Sequence, residues 1–198
     1  MRKQDLFNLL AEVRKILNEP PIIVGSQAVF AVTEYPPEIV RRSVECDFLL
    51  LGGMFEVRPR ITDNLGIFSE YQQQTGFYAD ALGLATVVLP LGWQDRLVAL
   101  KDEKGETIAF CVEIHDVGVS KLMAGREKDF EFLRTAFEND YLQIETFIER
   151  AATILQQPSR EALLPRLQKL AKSLERFGDL REIAKTLRDF ERKIQPKK

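Results

Sequence analysis

The sequence predicts an α+β fold, with interleaved strands and helices over residues 1–115 and an all-helical region over residues 116–198. Three observations predict it. Apolar residues at helical spacing open the chain. Short apolar runs bounded by proline and glycine then recur as far as Ile114, as strands do. From Asp116 onward only the helical period remains, broken near Asn139, at Pro158 and at Gly178.

In order, Leu6, Leu9, Leu10, Val13, Ile16 and Leu17 make one helical face, and Pro20-Pro21 ends that helix. Ile22-Ile23-Val24 reads as a strand, Gly25-Ser26 as a turn and Gln27 to Thr33 as a helix. Pro36-Pro37 breaks the chain again, and a strand from about Val44 to Leu51 ends at Gly52-Gly53. A helix from Thr62 to Gln74 leads into strands over residues 79–89, 96–101 and 106–114. The last two are joined by the polar, glycine-bearing loop Asp102-Glu103-Lys104-Gly105, a hairpin signal.

Composition limits the function classes. Of 198 residues, 45% are hydrophobic and 29% charged, which suits a soluble globular protein with room for a sizeable core. No run is long and apolar enough to span a bilayer, and Met1 to Val13 lack the apolar segment of a signal peptide, so a cytoplasmic protein without membrane contact is expected. Cys46 and Cys111 both sit in apolar runs and read as buried free thiols in a reducing compartment. The formal charge of −2 hides an asymmetry: residues 159–198 carry 12 Lys and Arg against 6 Asp and Glu, a net of +6, which leaves −8 on residues 1–158. Such a tail is either a nucleic-acid or acidic-partner surface or a solvated helix face.

Three places carry candidate chemistry. At Gly25-Ser26 a glycine lets backbone approach a ligand, and Ser26 can cap a helix whose amides attract phosphate. In Glu45-Cys46-Asp47 the alternation of a strand puts both carboxylates on one face, about 7 Å apart along the chain. That spacing suits either a shared magnesium ion or a strand end facing water. In the stretch from Val119 to Asp129, a helical wheel places Arg126 and Asp129 among Leu122, Leu133 and Phe137, either as an i, i+3 ion pair or as a polar site, with Lys121 at its edge as a phosphate-reaching point charge. His115 beside Asp116 reads as a junction or surface residue, and Trp93 as a packing anchor.

The run Arg41-Arg42-Ser43-Val44-Glu45-Cys46-Asp47 resembles the R-x-[ST]-x-D-x-D signature of AbiEii-type nucleotidyltransferases, toxin components of bacterial toxin–antitoxin systems. Its place after a Gly-Ser turn is similar too, as are Lys121-Leu122-Met123-Ala124 and Arg126-Glu127-Lys128-Asp129 downstream. The resemblance spans roughly residues 20–135. It implies a nucleotidyltransferase-like mixed β-sheet with flanking helices and a helical C-terminal part. It further implies that Gly25 and Ser26 hold a triphosphate, that Glu45 and Asp47 bind Mg2+, that Arg41 and Ser43 support the site, and that Lys121, Arg126 and Asp129 line the nucleotide side. Asp80 is chosen as the third carboxylate, ahead of Glu113. The implied partners are a nucleoside triphosphate, an RNA (transfer RNA) or protein acceptor, and an antitoxin.

Two positions depart from the family pattern. Glu45 replaces the first aspartate and carries its carboxylate about 1.5 Å further out. Phe132 stands where R-x-K-D-x-x-D ends in an acid. These departures leave a second expectation beside the enzyme, a catalytically degenerate interaction module that binds a protein or RNA partner.

Overall fold

A computed structural model describes residues 1–195, except for the side chains of Val40, Arg41 and residues 53–55. Two compact units divide the chain: Met1–Val87 with Gln94–Glu113, and Val88–Trp93 with Ile114–Lys198.

The first unit is a five-stranded mixed sheet with helices packed on it. Helix α1 (Lys3–Leu17) buries Leu6, Leu9, Leu10 and Val13, the stripe its spacing predicts. It stops at Asn18, whose left-handed φ of 61° ends the turn ahead of the two prolines. Strand β1 (Ile22–Ile23) is short but central, pairing antiparallel with β2 (Glu45–Leu50) on one side and parallel with β5 (Thr107–Cys111) on the other. A single turn, α2 (Glu38–Arg41), precedes β2. Helices α3 (Arg58–Leu65) and α4 (Glu70–Thr75) then cross over to β3 (Tyr78–Gly83), parallel to β2. Strand β4 (Val98–Lys101) closes the order β3-β2-β1-β5-β4 by forming the expected hairpin with β5. Asp102 organises that hairpin loop, its carboxylate accepting from the N–H groups of Lys104 and Glu106 at 2.9 Å.

The second unit is helical: α5 (Ile114–Ala124), α6 (Glu127–Glu138), α7 (Ile144–Ala152), α8 (Leu163–Leu174) and α9 (Arg181–Ile194). Helix α5 is nearly all buried and packs against α6, α7 and α8, while α8 and α9 pack against each other. Among the described residues, no helix is long and apolar enough to cross a membrane.

Local boundaries differ from the sequence reading in several places, among them the strand expected over residues 106–114, which ends at Cys111 before Ile114 opens α5. The helix expected over residues 62–74 splits at Gly66, and Ser69 caps a new helix by accepting from Gln72 N–H at 3.2 Å. The strand expected over residues 79–89 ends at Gly83, where Thr86 Oγ1 donates to the Gly83 carbonyl and turns the chain. After Gly25 comes a six-residue 3-10 turn, Ser26–Ala31, rather than an α-helix, so Gly25 and not Ser26 holds the cap position. Gly125, at φ +66°, interrupts the helix expected from Val119 to Asp129 and makes Arg126 the first cap of α6.

Candidate active site

Pleating and register build the site. Along β2, Cys46 and Phe48 turn to one side and are fully buried, which leaves Glu45 and Asp47 half-buried on the other. Strand β3 runs parallel beside it with Tyr78 opposite Glu45 and Asp80 opposite Asp47. Residues in register on adjacent strands share a face at about 5 Å spacing. Glu45, Asp47, Asp80 and Tyr78 therefore form one polar patch on that face of β2 and β3.

The turn after β1 meets this patch. Val24 N–H donates to the Asp47 carbonyl at 3.0 Å, which seats the end of β1 against β2. A Cβ built on Gly25 would lie 1.8 Å from Asp47 Oδ2, so the carboxylate occupies the space a side chain would take. Glycine is required there by close approach, since its φ of −88° is ordinary. Ser26 follows, half-buried, as the first residue of the 3-10 turn. Ser43 supports the entry to β2: its Oγ donates to the Glu45 carbonyl at 3.1 Å, and its own carbonyl accepts from the Met1 ammonium at 2.9 Å.

Electrostatically the patch is crowded with negative charge. Burial raises the pKa of Asp80, the charge of Glu45 raises it further, and Arg58 at the start of α3 partly offsets both. Tyr78 is pushed up to about 12, first by burial, then by donating its hydroxyl to Glu45 Oε2 at 2.9 Å and by the neighbouring carboxylates. The Cys46 thiol is driven well above its usual value by burial and then by Asp47, which makes it an inert core group.

The family model described as "Nucleotidyltransferase of unknown function (DUF6036)" matches residues 4–161. The chain belongs to that nucleotidyltransferase family. No curated protein and no solved structure matches it significantly. The match covers both the acidic patch and helices α5 to α7. It supports the nucleotidyltransferase superfamily expected from the Arg41–Asp47 motif, without singling out the AbiEii type.

Of the residues that sequence reading assigned to this nucleotidyltransferase, Gly25, Ser43, Glu45, Asp47 and Asp80 come together at β1, β2 and β3. The side chain of Arg41 lies outside the described residues. Lys121, Arg126 and Asp129 form their own cluster in the second unit. There Asp129 is buried and accepts from Arg126 N, Nε and Nη2 at 3.1, 2.7 and 3.1 Å, with Lys121 Nζ 3.6 Å away. Burial pushes the Asp129 pKa up, but the Arg126 hydrogen bonds and the Lys121 charge outweigh it and hold the carboxyl below its usual value. Phe132, at the position of the missing acid, puts its ring 5.6 Å from Lys121 Nζ. In the basic tail, Lys185, Arg188 and Arg192 each face a nearby acid. His115 is buried and accepts from Gln143 N–H at 3.0 Å, and Trp93 is buried too.

Sequence reading missed Tyr78 and Arg58. Tyr78 stands two residues before Asp80, one residue ahead of the strand expected over residues 79–89, and the sequence lacked the register that sets it opposite Glu45.

Among the described residues, no group of three His, Cys, Asp or Glu side chains is placed to hold a metal ion by itself. Magnesium does not require one, because it takes one or two carboxylates and completes its octahedron with water and phosphate oxygens. Glu45 and Asp47 offer that donor set, beside a glycine that leaves no side chain in the way.

Proposed function

We propose that this protein is a magnesium-dependent nucleotidyltransferase that moves a nucleoside monophosphate from a nucleoside triphosphate to a hydroxyl on RNA or on a protein. In this reading the acceptor oxygen forms a bond to the α-phosphorus, the bond from that phosphorus to the bridging oxygen of the β-phosphate breaks, and pyrophosphate leaves. Magnesium, when bound, neutralises charge on the phosphates. Glu45 and Asp47 hold it, and Asp80 adds a third carboxylate suited to accepting the acceptor's proton. Gly25 and Ser26 present backbone to the triphosphate, and Ser43 supports the entry to β2.

The observation that carries this reading is the register of Asp80 with Asp47 on a face shared with Glu45, closed by the contact of Gly25 with Asp47. Three like charges on one sheet face cost the fold stability, and a cation with bound phosphate relieves that cost. Acidic surface over residues 1–158 and a basic tail suit a protein paired in the cytoplasm with an antitoxin and acting on transfer RNA or a protein target.

Labelled nucleoside triphosphates, magnesium, and transfer RNA or a protein mixture test the reading. Label is expected to pass to an acceptor with the native chain and not with Asp47→Ala. If neither transfers label and neither is stabilised against heat by nucleotide plus magnesium, the enzymatic reading fails. The longer Glu45 favours the second reading, a degenerate interaction module. It predicts a stable complex that Glu45→Gln leaves unchanged.

A further inference from the structure

We infer that Tyr78 is a positioning residue for Glu45, a phenol on β3 that holds the longer carboxylate of β2 where a shorter acid would need no tether. The inference rests on the proposed metal-binding role of Glu45 and adds the residue that sets its geometry. Glutamate has one more rotatable bond than aspartate, so its carboxylate sweeps a wider volume when nothing restrains it. Strand pairing removes that freedom. Tyr78 is the register partner of Glu45, and its hydroxyl donates to Oε2 at 2.9 Å, within the ordinary range for an O–H···O hydrogen bond.

The phenol is itself held. Its backbone N–H donates to the Val44 carbonyl at 3.1 Å, and the ring stands on a six-residue parallel ladder, so the donor is carried by sheet rather than by loop. Partners of this kind, which orient a metal-binding side chain without touching the metal, commonly change affinity about 10-fold or more when removed. The departure at Glu45 and the tyrosine opposite are thus two halves of one device. The phenol restrains a carboxylate whose extra methylene gives it more rotamers than an aspartate has.

The test uses the full chain and Mn2+ alone as the probe, with bound and free metal distinguished by electron paramagnetic resonance. Glu45→Gln and Asp47→Asn are expected to weaken Mn2+ binding, which checks the parent reading. Tyr78→Phe, which keeps the ring and removes only the hydroxyl, is expected to weaken it about 10-fold. The decisive result is a reversal of sign: Glu45→Asp weakens binding in the native background but strengthens it in the Tyr78→Phe background, because the shorter side chain needs no tether. If Glu45→Gln and Asp47→Asn lose Mn2+ while Tyr78→Phe binds as the native chain does, the positioning role is overturned and the parent reading stands. If Glu45→Asp acts in the same direction in both backgrounds, the positioning role is likewise overturned. If the native chain binds no Mn2+, or Glu45→Gln and Asp47→Asn bind unchanged, both readings fall. Should Tyr78→Phe not fold, Glu45→Asp alone decides, and tighter binding than in the native chain overturns the inference.

Discussion

Two clusters of charge in this protein follow opposite rules. On the β2–β3 face, Glu45, Asp47 and Asp80 are like charges in register, and burial together with Glu45 raises the pKa of Asp80. In the second unit, Asp129 is more deeply buried, at 1% exposure, yet its carboxyl is held below the usual value by Arg126 and Lys121. Burial therefore does not by itself set the direction of the shift. The sign of the neighbours does. In the second unit the Asp129 carboxylate faces two cations and also caps α6, since the Arg126 backbone N–H donates to it. In the β2–β3 patch the nearest charge on Asp80 is a like one, Glu45, and Arg58 offsets only part of the shift.

The sharpest way to break this contrast is to truncate one acid on each side. Asp47→Ala is expected to reduce nucleotidyl transfer by at least about 1,000-fold, the scale of several kcal/mol of lost charge stabilisation. The backbone bond from Val24 N–H to the Asp47 carbonyl survives this change. The melting temperature of the metal-free protein should therefore stay within about 3 °C of the native value. Asp129→Ala is expected to do the reverse, because it removes the anion that Arg126 and Lys121 both face. Breaking a fully buried pair costs about 3–5 kcal/mol, and the 57% exposure of the Arg126 side chain brings the expectation down to about 2–3 kcal/mol. Denaturant unfolding checks it. A rise in KM for the triphosphate in Arg126→Ala, without loss of stability, would instead make that cluster part of the nucleotide site.

Gly25→Ala sharpens the contrast from the side of shape. The added methyl meets Asp47 Oδ2 and cannot be accommodated without moving that carboxylate. Overpacking of this kind costs about 1–3 kcal/mol, and here it should also displace an acid the reaction needs. Gly125→Ala is the control. It too places a Cβ against a side chain, 2.2 Å from Arg166 Nη1, but a flexible arginine can swing away, leaving about 1 kcal/mol for the left-handed backbone. Unfolding and transfer measured together should show both falling for Gly25→Ala and only stability falling for Gly125→Ala.

The sequence revealed the fold where one local signal sufficed. Helix α1 was legible from a single apolar stripe, the β4–β5 hairpin from Asp102 and Gly105, and the acid pair on β2 from alternation. It misled where a break depended on backbone geometry rather than on proline. Gly125 sits inside a stretch whose apolar period continues on both sides, and only its φ of +66° shows that α5 has ended. Asp80 was singled out on weak grounds, because the choice between it and Glu113 depends on which strand lies beside β2. Strand order is a long-range property that no window of sequence contains. Tyr78 was invisible for the same reason. A tyrosine in a strand is unremarkable until the register sets it against Glu45.

Acidity gives the smallest effect and the finest test, because the two clusters push stability in opposite directions. An aspartate ordinarily titrates near 3.8. With its pKa raised in the folded protein, Asp80 binds a proton on acidification before the unfolded chain does, so folding gains stability as pH falls through that raised value towards 3.8. With its pKa lowered, Asp129 contributes stability that is fully present above 3.8 and is lost as pH falls through its folded value. Melting temperature followed from pH 6 to about pH 3 should therefore show a shallow rise and then a fall on acidification. Asp80→Asn removes the charge that the folded state resists, so it should raise the melting temperature at neutral pH and abolish the rise. Asp129→Asn should lower the whole curve and flatten its acid limb. If Asp80→Asn is instead less stable than the native protein at neutral pH, the β2–β3 patch is not under electrostatic strain, and the contrast between the two clusters loses its physical basis.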